Sequence, residues 1–352
     1  MKKRVLAYTI VDPGQPGGVE SVLRGVISAL RYNDLSVHEL RANDCPLYVR
    51  GDPRRRLHLP SLMRAVKALL RVRPAVVNVH FVTAETVYFA WLKRLFGYRL
   101  ILSLHGSDLL LPDRQTSAMM PSILARADAV TVVSHQMRRS LEEVPGIDMN
   151  RVHVIPNGID PDFWCPPSVP RTPDSTLLCA GRLEPVKGFD LLIAAFADIA
   201  DICPDARLVI AGDGSQRDEL GRQAAAAGLS DRVAFSGFLG REALRAAYRE
   251  ADLFVMPSRS EGFPVALLEA MATGLSFVAA DVGGVGEIAT PQSGSCVPPG
   301  DVRALGRALA DAMGKRDLPA SGRAARQRAK EFSVERSEHL YVELISGKDA
   351  VN

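Results

Sequence analysis

Short β-branched apolar runs alternate with amphipathic segments along this chain, and the alternation is run through twice. "RVLAYTIV", "LSVHELRA", "AVVNVHF", "RLILSLHG" and "AVTVVS" read as strands in the first half, with helical patterns such as "GGVESVLRGVISALR" between them. Helices are expected near 84–96 and 116–127. The second half repeats the pattern with "TLLCAG", "RLVIAG", "VAFSG", "LFVMPS" and "SFVAAD", and with helices near 188–200, 216–227, 241–250, 263–273 and 301–313. Strands with no polar face, separated by helices, predict parallel sheets covered on both sides. Between the halves lies "IPNGIDPDFWCPPSVPRTPDST", whose Pro, Asp and Ser content marks a linker. A length of 352 residues exceeds what one core ordinarily serves. The expected α/β architecture is therefore two Rossmann-like doubly wound domains facing across a cleft. The boundaries fall at 1–165, 166–335 and a terminal helix and tail at 336–352. A hinge is expected near 156–175.

The five cysteines, at 45, 165, 179, 203 and 296, form no C-x-x-C pair, so neither a disulfide framework nor a zinc site is indicated. A reducing cytoplasm suits them. The apolar run at the N-terminus stops at Asp12, as expected of a buried first strand rather than a signal peptide, and no stretch approaches the length of a membrane span. Net charge is +3 overall but uneven: +7 over residues 1–165 and −4 over 166–352. The basic excess peaks in 50–73, where eight basic residues face Asp52 alone. There Leu62, Met63, Val66, Leu69 and Leu70 are expected on one helical face. One reading is a solvated surface helix. The other is an attachment patch for an anionic membrane surface or anionic acceptor. Aromatic residues do not interleave with the basic ones, so nucleic acid is not an expected partner.

In doubly wound sheets ligands bind beyond the carboxyl ends of the strands, so the residues to weigh are those just after each strand. "DPGQPGGVE" places Gly17 and Gly18 before a helix, where amides can approach an anion or simply make a turn. It is not G-x-G-x-x-G, nor a P-loop. His105 follows "RLILSL". Arg182 and Lys187 flank the turn "GRLEPVKG", where a planar fork and a mobile point charge suit a diphosphate. "SRSEGFPVALLEAMATG" carries Glu261 and Glu269 eight apart. Pro264 suits a first helical turn, and the free amides near Gly262 and Phe263 are expected to point into the cleft. Glu261 sits at the helix mouth. Glu269 lies among Ala266, Leu267, Leu268, Ala270 and Met271, where an unpartnered charge is costly.

Taken in order, "GGVE", "HGSD", "VIPNGID", "GRLEPVKG", "IAGDG", "PSRSEGFPVALLEAMATG" and "GGVGEI" resemble the GT4 (group 1) retaining glycosyltransferases of GT-B fold. The resemblance spans nearly the whole chain, its most specific part is E-x7-E with the upstream Arg and Lys, and the closing "EFSVERSEHLYVELI" looks like the family's terminal helix, which implies a C-terminal helix crossing back to the first domain. It implies hexosyl transfer from a nucleotide diphosphate sugar, with UDP-hexose ahead of GDP-mannose as donor. It implies that Arg182 and Lys187 bind the diphosphate, Glu261 the donor sugar and Glu269 the ribose. Gly17 and Gly18 would reach phosphate, His105 the donor sugar, and Gly214 and Phe238 would line the base. Gly262, Phe263 and Pro264 would offer the helix mouth. No covalent nucleophile stands out, so front-face attack without a metal or other cofactor is the expected mechanism. "DPD" at Asp160–Asp162 is expected to be a turn, not a metal site. A lipid-linked or cell-surface glycan precursor at the inner face of a membrane is the expected acceptor. The alternatives are a non-hydrolysing nucleotide-sugar epimerase, or a non-catalytic sugar-nucleotide-binding partner, on the same scaffold. A dehydrogenase is disfavoured by the missing G-x-G-x-x-G.

Overall fold

A computed structural model describes residues 3–9, 18–41, 59–169, 174–314 and 318–347. Gly17 and residues 50–58 lie outside these. The chain divides into two compact units: Met1–Gly158 with Val334–Asn352, and Ile159–Ser333.

The first unit holds β1 (Arg4–Thr9), α1 (Gly18–Tyr32), β2 (Ser36–Arg41), α2 (Leu59–Val72), β3 (Val76–His80), α3 (Thr86–Phe96) and β4 (Arg99–Ser103). There follow α4 (Ser107–Leu110), α5 (Arg114–Leu124), β5 (Ala129–Val132), α6 (His135–Glu142) and β6 (Val152–Val154). Its described strands form one parallel sheet in the order β2-β1-β3-β4-β5-β6. β3 is buried at every position, which is why "VVNVH" shows no alternation. Asp113 starts α5 by accepting from the amides of Gln115 and Thr116, and Ser134 starts α6 by accepting from Met137.

The second unit holds β7 (Thr176–Ala180), α7 (Phe189–Ile199), β8 (Arg207–Ala211), α8 (Arg217–Ala226), β9 (Val233–Gly237), α9 (Arg241–Glu250) and β10 (Leu253–Met256). It continues with α10 (Val265–Ala272), β11 (Ser276–Ala280), α11 (Val285–Ile288), β12 (Gly294–Val297), α12 (Val302–Gly314) and α13 (Leu318–Ala329). Its parallel sheet runs β12-β11-β10-β7-β8-β9. The core joins Leu177, Phe189, Ile193 and Phe196 to Leu208, Leu220, Val255, Leu305 and Leu309.

The last helix, α14 (Val334–Ser346), belongs to the first unit. Tyr341, Leu344 and Ile345 enter the same core as Val5, Val26 and Val76. Lys3 Nζ donates to the carbonyls of Ile345 (3.0 Å) and Ser346 (3.1 Å), and Arg99 donates to Leu344. Two cations thus take up the carbonyls that the helix end leaves free.

The stripe expected on α2 is corrected. Ser61, Ala65, Leu69 and Val72 face inward, while Met63 and Leu70 are 64% and 58% exposed. Small Ser61 and Ala65 let the helix sit close to the unit, which turns the longer side chains outward.

Candidate functional site

Chain order reverses in the second sheet between β7 and β10: one side continues β8-β9 and the other β11-β12. That switch point is where doubly wound sheets leave room for a ligand. The loops leaving these neighbouring strands are 181–188 and 257–264, and they carry most of the residues singled out by sequence. Lys187 Nζ lies 2.7 Å from Glu261 Oε1, and Ser258 Oγ donates to the same oxygen at 2.6 Å. The sequence expectation gave these two residues separate ligand partners. In the structure they are partners of each other. An ammonium has three donors, so Lys187 can keep Glu261 and still reach phosphate oxygens.

Two backbone features press the loops together. Gly188 has φ +68°, and a Cβ there would lie 2.2 Å from the carbonyl oxygen of Pro257. Gly283 has φ +58°, and its Cβ would lie 2.0 Å from the Glu261 carbonyl. Only glycine fits either place. The single 3₁₀ turn Pro185–Lys187 is then pinned by Arg259, which sequence reasoning missed. Its guanidinium holds Asp190 bidentately at 2.8 and 2.6 Å and donates to Pro185 O at 2.7 Å, while its own amide donates to Val186 O. Arg259 in turn holds the Asp190 carboxyl below the usual carboxylate range.

Arg182 is exposed, and among the described residues no hydrogen bond or ion pair holds its guanidinium. Gly214 lies beyond β8, its amide bound by Asp213 Oδ1 at 2.8 Å. Phe238 follows β9 and is 60% exposed. Pro264 caps α10 and Phe263 is buried against Phe332. Gly262 accepts from the Gly284 amide.

Glu269 meets Tyr248 from α9. The Tyr248 oxygen lies 3.2 Å from Glu269 Oε2 and 3.1 Å from the Ala266 carbonyl. Burial pushes the Glu269 carboxyl up to about 8, outweighing the Tyr248 hydrogen bond and the charge of Arg241. Tyr248, wholly buried, was not singled out from sequence.

In the first unit His105 follows β4, and Nε2 lies 3.1 Å from Nδ1 of His80 at the end of β3. The rings stack at 5.3 Å. Burial lowers both imidazoles, His105 to about 4 and His80 well below its ordinary value, so both are neutral. His105 Nδ1 is buried without a partner among the described residues. Asp108 of "HGSD" accepts from the amides of Val82, His105 and Gly106, yet burial raises it to about 6. Gly18 is the first residue of α1.

Asp160 of "DPD" accepts from the amides of Asp162 and Phe163 and pairs with Arg241 at 3.6 Å. It is a turn residue. Among the described residues no group of three or more His, Cys, Asp or Glu comes together as a metal site would require.

These features define a two-unit α/β protein of GT-B type with an anion-ready loop pair at the switch point of the second sheet. Residues 16–163 match "Glycosyltransferase Family 4" and residues 163–331 match "Glycosyl transferases group 1", and the chain belongs to this glycosyltransferase family. It is 28% identical over 344 residues to a GDP-mannose-dependent alpha-(1-6)-phosphatidylinositol monomannoside mannosyltransferase of Mycolicibacterium smegmatis, covering 88% of this chain and 89% of that one. It is 35% identical over 221 residues to glycogen synthase of Mycobacterium tuberculosis, a match covering 61% of this chain and only 53% of that protein. Sucrose-phosphate synthase from Thermosynechococcus elongatus has the same fold at a TM-score of 0.84 and 20% identity, over 99% of this chain and all of that one. So does Anabaena HepE in complex with UDP-glucose, at 0.77 and 20% over 98% and 99%.

Proposed function

We propose that the protein is a retaining glycosyltransferase that moves a hexosyl unit from a nucleoside diphosphate sugar to a hydroxyl acceptor. The observation that carries this is the Lys187–Glu261–Ser258 arrangement at the switch point of the second sheet, with the unheld Arg182 beside it in sequence. Breaking the bond between the sugar's anomeric carbon and the diphosphate leaves negative charge on phosphate, and preorganised cations stabilise that charge. Lys187 and Arg182 take this role. Glu261, oriented by Ser258, accepts from donor sugar hydroxyls, and Glu269 accepts from the ribose. Gly214 and Phe238 border the base, and the loop Gly262–Pro264 borders the phosphates. The new bond forms on the face the diphosphate leaves, and the acceptor's proton passes to a phosphate oxygen. The two cations offset the leaving-group charge in place of a metal.

The named relatives support two donor classes, GDP-mannose and UDP-glucose. UDP-hexose and GDP-mannose are accordingly the donors proposed. The acceptor is proposed to be lipid-linked and met at an anionic membrane surface on the cytoplasmic side. Exposed Met63, Lys67, Leu70 and Arg71 of α2 and Trp91, Arg94 and Leu95 of α3 support that surface. No described helix is long and apolar enough to cross a membrane.

Titration calorimetry with UDP, GDP and their hexose conjugates, followed by transfer assays with and without EDTA, tests the reading. One nucleotide should bind, and Lys187→Ala should weaken it by about 10- to 100-fold, the value of a charge-assisted contact. Transfer should persist in EDTA. Unchanged nucleotide binding in Lys187→Ala would refute the diphosphate role.

A further inference from the structure

Among the described residues neither Lys nor Arg holds Glu269, the acid of α10, at hydrogen-bond distance. What holds it is Tyr248, from a different helix and 21 residues away. The Tyr248 ring is fixed before its hydroxyl is considered. It is fully buried, with Trp164 edge-on at 5.6 Å and 82° and Phe254 at 5.6 Å and 64°. Such contacts leave the phenol oxygen one place to be.

That oxygen has one proton and two oxygen neighbours, the Ala266 carbonyl at 3.1 Å and Glu269 Oε2 at 3.2 Å. A carbonyl can only accept. If the phenol proton goes to Ala266, an ionised Glu269 would face a phenol lone pair. If it goes to Glu269, the Ala266 contact is empty. Each contact has a proton of its own only when Glu269 is the protonated partner.

We propose that Tyr248 is the positioning residue for Glu269: without nucleotide the Glu269 carboxyl donates to the Tyr248 oxygen and Tyr248 donates to the Ala266 carbonyl, and when nucleotide binding exchanges the carboxyl proton for ribose hydroxyls, Tyr248 turns its own proton to the carboxylate. This rests on the donor-site reading above. The groups around the pair agree. From α9, Arg241 is drawn to Asp160 and lies over Phe163, Arg245 pairs with Glu242, and Arg249 donates to Cys165. From α13, Arg326 is occupied by the carbonyls of Ala272 and Trp164. From β7, Cys179 is a buried thiol whose own ionisation burial suppresses. β10 and β11 present no charge. Of these cations only Arg241 acts on Glu269 through its charge, and burial outweighs it.

The consequence is ribose recognition that depends on a residue that need not touch the nucleotide. Calorimetry with UDP and GDP against their 2′-deoxy forms tests it, on wild type and Tyr248→Phe, each first checked for folding by circular dichroism. Wild type should prefer the ribonucleotide, and Tyr248→Phe should lose at least about tenfold of that preference, the worth of one hydrogen bond to a charged group. A merely structural Tyr248 would weaken both nucleotides equally. On wild type alone, repeating the titration at pH 7 in buffers of different ionisation enthalpy should show up to one proton released on binding. Equal ribose preference in both proteins overturns the proposal and leaves the donor site standing, as does binding without proton release. No binding of any nucleotide overturns both.

Discussion

Arg259 shows how much of the candidate site depends on a residue that need touch no ligand. It is partly exposed, so its pair with Asp190 contributes little to global stability. Its effect is local: the same guanidinium binds Asp190 and Pro185, and fixes the turn that aims Lys187 at Glu261. Arg259→Ala should therefore weaken nucleoside diphosphate binding severalfold, about 1 kcal/mol, with little change in melting temperature. Arg259→Lys should not restore binding, because an ammonium lacks the planar fork. Wild-type affinity in Arg259→Ala, measured by calorimetry, would remove Arg259 from the site. Lys187 and Glu261 were legible in the sequence because each sits in a short local pattern after a strand. Arg259, Tyr248 and His80 were not. Their partners lie 69, 21 and 25 residues away, and only the strand order brings them together. A lone Tyr in "LRAAYREADL" looks like any core aromatic, and "VVNVH" looks like a strand that happens to end in His.

Among the elements, strands were the most legible and helix faces the least. The apolar runs that become β3, β4, β7 and β10 are buried on both sides, so composition alone announces them. Short elements escaped: α4 and β6 have four and three residues, too few to show a period. On α2 the period was plain but its phase was not, since Leu62–Met63 and Leu69–Leu70 allow two registers. The observed one sends Met63 and Leu70 outward together with Lys67 and Arg71. α2 packs beside α3, which exposes Trp91 and Leu95 along with Arg94. Apolar anchors among cations suit an anionic lipid surface. In vesicle flotation at low salt the protein should float with phosphatidylglycerol vesicles and not with phosphatidylcholine ones. The double substitution Lys67→Glu and Arg71→Glu should lower that partitioning by at least about tenfold, at about 1 kcal/mol per lost basic contact. Equal flotation of the variant would dismiss this face.

At the scale of the molecule, the two units carry buried titratable groups of opposite sense, and so should answer acid differently. In the first unit, burial lowers His80 and His105, His105 to about 4. The unfolded chain takes up these protons near 6.5 while the folded unit refuses them, so stability is full above that pH and is lost as pH falls below it. Asp108, raised to about 6, opposes this: its folded carboxyl takes a proton before the unfolded one does, which adds stability as pH falls below 6. Two imidazoles against one carboxyl leave a net loss. In the second unit Glu269 is raised to about 8, so its contribution is full below its ordinary value of 4.5 and is lost as pH rises through 8. Lowering pH from 8 toward 6 should therefore strengthen the second unit, and going below 6.5 should weaken the first. Scanning calorimetry from pH 8.5 to 5 should show two transitions drawing apart as pH falls, the first unit melting earlier. Glu269→Gln should flatten the pH response of the later transition and leave the earlier one unmoved. If instead a single transition shifts as one at every pH, the coupling between units exceeds these opposed contributions, and the assignment of the acid response to separate units fails.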